Sequence, residues 1–140
     1  LTSSLDDIVI NSPETAGENA GECCSSLLNI SFLGTRGEVL LHTLEQDGIY
    51  VSTGSACSSN KKGQSHVLKA MGLKDKEIEG TLRFSFGRMN SIEEIDIAAD
   101  KVAAAVKRFR RLGSFRYKRR ESAAGRPAAN VRISIVKVVR

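Results

Sequence analysis

The stretch STGSACSSN, residues 52–60, holds one thiol, Cys57, among four serines and one glycine. A cysteine is nucleophilic only when its sulfur is accessible and partly ionised, because the thiolate is the attacking form. The neighbouring side chains are too small and polar to bury Cys57, and Gly54 adds backbone freedom. We therefore predict an accessible, nucleophilic thiol; the alternative is a small residue in an ordinary connecting loop.

A second candidate for chemistry is Arg83, in the stretch TLRFSFG at residues 81–87. A guanidinium on a rigid strand, beside a hydroxyl, suits bidentate binding of a carboxylate. The alternative is an arginine on the solvated face of a half-buried sheet. Period-two alternation directs one set of side chains to the core and the other set to the opposite face, namely Leu82, Phe84 and Phe86 inward and Thr81, Arg83 and Ser85 outward.

Both candidates lie between elements that the sequence marks clearly. We predict strands in DIVIN (residues 7–11), at residues 27–33, at 49–52 and at 81–87, and a helix over residues 38–46 closed by Gly48. A short helix begins at Ser65 and ends at Gly72. The loop with Cys57 is therefore held at both ends. A loop of about a dozen residues more often has a function than serves only as a connection. In the second strand Leu28, Ile30 and Phe32 share one face, and in the helix Val39, Leu40, Thr43 and Leu44 have helical spacing.

The best-marked element is a helix from Ile92 to Leu112. Ser91 and Glu94 have the spacing of a capping box, in which each side chain accepts a hydrogen bond from a free backbone donor. Gly113 is a natural end for the helix. Apolar residues recur at intervals of four and three and give one stripe of Ile95, Ala99, Val102, Val106 and Phe109.

Short strands that alternate irregularly with helices favour an α+β fold, in which helices cover a small, mostly antiparallel sheet. We predict one domain over residues 1–113. Residues 114–140 are basic and turn-prone, and we expect a tail that is disordered or of non-native origin. The chain begins at Leu1 rather than Met, which favours a piece of a longer protein.

The net charge of +5 comes from one end of the chain. Residues 107–140 contain 12 Lys and Arg against one Glu, whereas residues 1–106 contain 9 Lys and Arg against 15 Asp and Glu. The run KRFRRLGSFRYKRR, residues 107–120, has the composition of an RNA-binding arm, because cations release counterions and aromatic rings stack on bases. The alternative, which we favour, is a helix end followed by a solvated tail, since cations stabilise a helix C-terminus. Nucleic acid is therefore not an expected partner.

The sequence contains no run of about 18 apolar residues and no basic-then-apolar leader, so we expect neither a membrane span nor secretion. The three cysteines, Cys23, Cys24 and Cys57, are too few for a disulfide framework and fit the reducing cytoplasm. Adjacent Cys23 and Cys24 lack the spacing of a zinc site, so no metal is expected.

Three stretches together resemble one known family. NISFLGTRGEVLLHTLEQDGIYVSTGSACSSN, SHVLKAMGL and LRFSFGRMNSIEEID resemble, in order and spacing, the C-terminal small domain of cysteine desulfurases of the NifS/IscS type. These are pyridoxal-phosphate enzymes of the aspartate-aminotransferase fold. The resemblance runs from about Ile8 to Leu112, and the pair STGSACSS and LRFSFGR is its most specific part.

The resemblance implies a role for each candidate residue. Cys57 would be the catalytic nucleophile that takes sulfur from L-cysteine as a persulfide and leaves L-alanine. Arg83 would bind the carboxylate of the substrate, and Asn29 would have a structural or supporting role. An iron–sulfur scaffold or a tRNA-thiolating protein would then accept the sulfur, and the full-length enzyme would be a homodimer.

The same resemblance places the cofactor outside this chain. In the family the Schiff-base lysine follows a histidine in a larger N-terminal domain, and this sequence contains no His-Lys dipeptide. Neither His42 nor His66 stands in a cofactor-binding context. We therefore predict that the isolated chain binds no pyridoxal phosphate and does not turn over cysteine. The rival hypothesis is a non-catalytic module whose basic tail contacts RNA or an acidic protein.

Overall fold

The computed structural model describes residues 5–13, 24–53 and 65–112 of the 140-residue chain. Cys57 and the predicted tail at residues 114–140 lie outside the described residues. The strands β1 (Ile8–Ile10), β2 (Leu27–Phe32) and β3 (Thr81–Ser85) form an antiparallel sheet in the order β1-β2-β3, which confirms the predicted α+β class. The helices within the described ranges are α1 (Gly37–Gln46), α2 (His66–Ala70), α3 (Asp75–Glu79) and α4 (Ile92–Leu112).

The core lies between one face of the sheet and the helices α1 and α4, which pack against each other. Alternation along β2 and β3 sends their apolar side chains to this face, as the sequence predicts. Aliphatic residues make up nearly all of the core, in keeping with the low aromatic content of the sequence. The fully buried members are Ile30, Phe32, Leu40, Leu44, Leu82 and Val106.

Helix α4 confirms its predicted start and stripe. The Ser91 backbone N–H donates to Glu94 Oε2 at 3.1 Å, and the Glu94 backbone N–H donates to Ser91 Oγ at 3.2 Å, which completes the capping box. Of the predicted apolar stripe, Ile95, Val102 and Val106 are buried, while Ala99 and Phe109 are half-buried.

Helix α1 ends as predicted, in a Schellman motif around Gly48. Gly48 adopts a φ of 76°, its N–H donates to the Glu45 carbonyl at 3.0 Å, and the Ile49 N–H donates to the Leu44 carbonyl at 2.9 Å. Val39, which shares the helical spacing, is 40% exposed. Leu40 and Leu44 are buried in the core, and Leu41 packs against it.

The structure differs from the prediction at residues 49–52, and it adds one helix and one buried residue that the sequence did not indicate. The predicted strand at residues 49–52 is reduced to a single bridge between Ser52 and Arg83. Helix α3 was not anticipated, and its N-terminus is closed by the Lys74 N–H, which donates to Glu77 Oε2 at 2.7 Å. Thr81 faces away from the apolar core as predicted but is buried, because α3 lies beside it and the Glu77 carbonyl accepts its hydroxyl at 2.7 Å. None of the helices in the described ranges combines the length and the apolar character that a membrane span requires.

Candidate functional site

Arg83 lies in the middle of β3 on the face opposite the apolar core, and it is exposed. Its backbone N–H donates to the Ser52 carbonyl at 2.7 Å, and its carbonyl accepts from the Ser52 N–H at 3.1 Å. Ser52 is followed by Thr53, the last described residue before the segment 54–64 that contains Cys57. The structure therefore attaches the N-terminal end of the cysteine loop directly to the strand position of the candidate arginine.

The other end of the cysteine loop is fixed at α2. Ser65 is the N-cap of this helix, and its hydroxyl accepts a hydrogen bond from the Leu68 N–H at 3.4 Å, as the sequence predicts. Leu68 is buried and attaches α2 to the rest of the fold. Both anchors of the loop thus belong to the ordered domain, while the position of Cys57 itself stays a prediction.

The Arg83 guanidinium makes no ion pair and no hydrogen bond with any described residue. A guanidinium is charged throughout the ordinary pH range and offers five N–H donors in a planar fork. This fork is therefore open to an anion from solution. The ion pairs that the described residues do form lie elsewhere, between Arg36 and Glu79, Lys101 and Asp47, and His42 and Glu45.

A polar network occupies the same face of the sheet as Arg83. Asn11 donates from Nδ2 to Asn29 Oδ1 at 2.8 Å and to Ser31 Oγ at 2.9 Å. The hydroxyls of Ser31 and Thr81 lie 2.8 Å apart, and both residues are buried. Because Thr81 donates its proton to the Glu77 carbonyl, Ser31 must donate to Thr81. The hydrogen bonds therefore run in one direction, from Asn11 through Ser31 and Thr81 to the Glu77 carbonyl in α3.

Sequence reasoning identified Asn29 through the family resemblance but missed Asn11 and Ser31 as its partners. A signal was present, because Asn29 and Ser31 alternate with apolar residues in β2 and thus share the face of Arg83. Asn11 follows β1 by one residue, and no pattern in the sequence reveals its pairing with β2.

The opposite face of the sheet carries a groove of about 400 Å³ between β2, β3 and the first half of α4. Its walls are mostly apolar, with Phe84, Ile95 and Ile97 among them, and Arg83 does not line it. The groove and the polar face are separated by the sheet itself, so this cavity lies apart from the Arg83 side chain.

Every lysine in the described ranges is exposed to solvent, and Lys101 is committed to Asp47 at 3.0 Å. A Schiff-base lysine needs an enclosed pocket that lowers its pKa and orients the cofactor. The described lysines therefore do not fit pyridoxal phosphate. Nor do the described His, Cys, Asp and Glu residues form any cluster that would hold a metal ion.

Cys24 is exposed, and its sulfur lies 3.2 Å from the Ser26 hydroxyl. Hydrogen bonding from the side chain and then the backbone of Ser26 lowers the pKa of this thiol, because both contacts favour the thiolate. Cys23 lies outside the described residues. A lowered pKa and full exposure make Cys24 reactive, but no neighbouring group marks it as a catalytic residue.

The basic run at residues 107–120 contains one arginine with a definite structural role. Arg110 donates to the carbonyls of Asp6, Asp7 and Leu33 at 2.7, 2.8 and 3.0 Å and so ties the end of α4 to the sheet. Burial lowers the pKa of Arg110, while the charges of Asp7 and Asp6 raise it. The predicted helix end is confirmed. Arg110 is half-buried within it, whereas Lys107, Arg108 and Arg111 are exposed, and the predicted solvated tail lies outside the described residues.

The aminotransferase class-V family matches residues 2–97. Cysteine desulfurase IscS of Pseudomonas putida is 41% identical over 110 residues, which cover 79% of this chain and 25% of that protein. Cysteine desulfurase IscS of Methanosarcina thermophila is 44% identical over 85 residues, which cover 61% of this chain and 21% of that protein. The chain thus spans about a quarter of the length of the curated relatives it matches.

Solved structures give the same result for the fold. A NifS-like protein superimposes with a TM-score of 0.56 at 29% identity, over 71% of this chain and 23% of that one. A NifS-like protein from Rickettsia africae superimposes with a TM-score of 0.51 over 74% of this chain and 23% of that one, and at 20% identity it supports the fold alone.

Proposed function

Because this chain belongs to the aminotransferase class-V family, we propose that it is the small domain of a cysteine desulfurase. In this proposal Cys57 accepts sulfur from L-cysteine, and Arg83 binds the substrate carboxylate. The chain spans only a quarter of its curated relatives, so the proposed activity is that of a protein completed by a larger domain.

The observation that carries the proposal is the backbone pairing of Ser52 with Arg83. Cys57 lies four positions after Thr53. A chain extends by at most about 3.6 Å per residue, so the Cα of Cys57 can lie no more than roughly 14 Å from the Cα of Thr53. This limit supports a thiol that can reach a substrate bound at Arg83.

The proposed reaction balances without an external oxidant. The thiols of L-cysteine and Cys57 give L-alanine and a Cys57 persulfide. The C–S bond of the substrate is exchanged for a C–H bond, and an S–S bond forms. The carbon gains two electrons, and the two sulfur atoms each lose one. A thiolate at Cys57 is the attacking form, so the rate should rise with pH as this thiol ionises.

Members of the family use pyridoxal phosphate, which when bound supplies the electron sink that makes the C–S bond labile. The described lysines do not fit this cofactor, so we assign none of that chemistry to this chain. Its own contributions are to bind the carboxylate, to present the acceptor thiol and to carry the persulfide away. We propose that an iron–sulfur scaffold or a tRNA-thiolating protein receives the sulfur, and that the completed enzyme is a homodimer.

A chimeric enzyme tests the proposal. This chain would replace the matching C-terminal quarter of cysteine desulfurase IscS of Pseudomonas putida, and alanine and sulfide would be measured with L-cysteine as substrate. We expect activity in the chimera, its loss in Cys57→Ser together with the persulfide mass on the peptide, and a raised KM in Arg83→Lys. The control is Cys24→Ser, which removes an exposed thiol outside the proposed machinery and should leave the activity unchanged.

Two outcomes would contradict the proposal. Cys57→Ser in the chimera retaining the parent rate would eliminate Cys57 as the acceptor. Alanine production by the isolated 140-residue chain supplied with pyridoxal phosphate would contradict the proposal that a larger domain supplies the cofactor chemistry. Salt-sensitive binding of tRNA that disappears when residues 107–140 are removed, in a chimera that lacks activity, would favour the rival binding module.

A further inference from the structure

We propose that Asn29 is a second carboxylate-binding residue, which donates a hydrogen bond from Nδ2 to the same carboxylate that Arg83 binds. This inference rests on the proposed function, because it needs Arg83 to bind the substrate carboxylate. It extends that function by giving the site a neutral donor beside the charged one. The ligand is the carboxylate of an amino acid.

Asn29 and Arg83 are direct partners across β2 and β3. The backbone N–H of Asn29 donates to Ser12 Oγ and its carbonyl accepts from Asn11, while both backbone groups of Arg83 bond to Ser52. Neither residue thus spends its backbone groups on the other, so the pair is of the non-hydrogen-bonded type. In such pairs the Cα atoms are about 4.5 Å apart, and the side chains approach most closely.

The hydrogen bonds of Asn11 fix the orientation of the Asn29 amide. Its Oδ1 accepts from Asn11 Nδ2 at 2.8 Å, and Asn11 gives its second proton to Ser31 Oγ at 2.9 Å. With both Asn11 protons committed, Asn29 must present oxygen to Asn11, which leaves Nδ2 on the opposite side of the amide. Nδ2 donates to no described residue, and it is not fully buried, since the described ranges contain no buried side-chain nitrogen or oxygen without a hydrogen-bond partner.

Buried hydroxyl groups hold the Asn29 amide in place through Asn11. Ser31 is 0% exposed and Thr81 is 2% exposed, and their hydroxyls anchor Asn11 from below the surface. A surface asparagine needs no such support, whereas a ligand-binding amide gains from it, because a donor held in place loses little entropy on binding. The buried hydroxyl pair therefore preorganises the amide of Asn29 beside the guanidinium of Arg83.

The chemical consequence is a complementary set of donors. A carboxylate has two oxygens and about four lone-pair directions, and a bidentate guanidinium occupies one edge of it. An amide N–H beside that edge can bond a remaining lone pair. A carboxylic amide or ester in the same place lacks the negative charge that both donors favour. The pair Asn29 and Arg83 is therefore selective for a free carboxylate.

The test is a titration of the complete 140-residue chain, labelled with ¹⁵N, with sodium acetate at constant ionic strength maintained by sodium chloride. We expect the Arg83 Nε–H and the Asn29 Nδ2 resonances to shift together along one binding curve. The Asn11 Nδ2 resonances are the internal control, because both protons are committed within the protein and should shift little.

A variant adds a measurement of magnitude. Because Asn29 is only half-buried and water weakens the contact, Asn29→Ala should weaken acetate binding about 2- to 3-fold, as measured at Arg83 Nε. The matched control is Asn90→Ala, because Asn90 is an asparagine whose Oδ1 also accepts a hydrogen bond, here from the Gly87 N–H, and it lies beside the groove on the other face. It should leave the acetate affinity unchanged.

The outcomes separate this inference from the proposed function. A shift of Arg83 Nε without a shift of Asn29 Nδ2 would overturn the inference and leave the role of Arg83 intact. Shifts at neither residue would overturn both. Equal shifts with chloride in place of acetate would show a general anion site and would contradict carboxylate recognition. The wild-type side-chain resonances keep the test valid even if Asn29→Ala fails to fold.

Discussion

Replacing Arg110 by alanine should destabilise the domain more than replacing any exposed cation of the same helix. Arg110 donates three hydrogen bonds, from Nε to the Leu33 carbonyl at 3.0 Å and from its terminal nitrogens to the carbonyls of Asp6 and Asp7 at 2.7 and 2.8 Å. These contacts join residues 77 to 104 positions apart in the sequence. They hold the last turns of α4 against the segment that leads into β1.

The magnitude follows from the number and exposure of these bonds. A hydrogen bond to a charged group contributes about 1.5–3 kcal/mol when it is buried. The bond to Leu33 is partly buried, whereas those to Asp6 and Asp7 are exposed, so water replaces them at little cost. We therefore expect Arg110→Ala to lower the free energy of unfolding by about 2 kcal/mol. With a urea m-value of about 1.5 kcal/mol/M, the unfolding midpoint should fall by roughly 1.3 M.

The assay is urea unfolding followed by far-UV circular dichroism. Arg108→Ala is the matched control, since Arg108 is exposed on the same helix and alanine is the better helix former, so the change should stay within about 0.5 kcal/mol. Equal midpoints for the two variants would refute the assignment of Arg110 as a structural clamp. The same result would return Arg110 to the set of cations available to an anionic partner.

Three further changes test other parts of the fold. Gly80→Ala should cost about 3 kcal/mol or prevent folding, because its Cβ would lie 2.3 Å from the Phe32 carbonyl oxygen, and thermal unfolding will measure the loss. Thr81→Val should lower the free energy of unfolding by about 1–3 kcal/mol, since it leaves a buried hydroxyl donor without an acceptor, and an unchanged urea midpoint would contradict the directed hydrogen-bond chain. Ser26→Ala should raise the pKa of Cys24 and slow its alkylation by iodoacetamide below that pKa, in a background lacking the other two cysteines; an unaltered rate–pH profile would show that the hydroxyl does not stabilise the thiolate.

Local signals explain which elements the sequence predicted. The capping box of Ser91 and Glu94 and the stop at Gly48 depend on contacts within a few residues, so the pattern alone identifies them. The two faces of β3 follow from alternation in the same way. Arg83 was therefore predictable as an outward residue of a strand.

Tertiary contacts decided what the sequence failed to predict. The residues at 49–52 have strand-forming types, but only Ser52 finds a partner, because Ile49 is committed to the end of α1 and Tyr50 is 80% exposed. Helix α3 has five residues and an N-cap, Lys74, of a type that rarely caps a helix, so no local signal marks it. In the sequence Arg110 looks like its neighbours in a basic run. Only its hydrogen bonds to residues next to β1 and β2, which are distant in the sequence, distinguish it.

The position of Arg83 on an open face has a consequence for binding strength. Two unit charges roughly 4 Å apart attract by about 1 kcal/mol in bulk water and by about 4 kcal/mol at an effective dielectric constant of about 20. Arg83 is exposed, so a carboxylate bound to this chain alone gains close to the smaller value, with Asn29 adding a hydrogen bond that water also weakens. A second body that covers the polar face would exclude water and strengthen both contacts. The proposed site therefore has the donors for substrate recognition but reaches full strength only in a protein that encloses it, as expected of a chain that spans a quarter of its curated relatives.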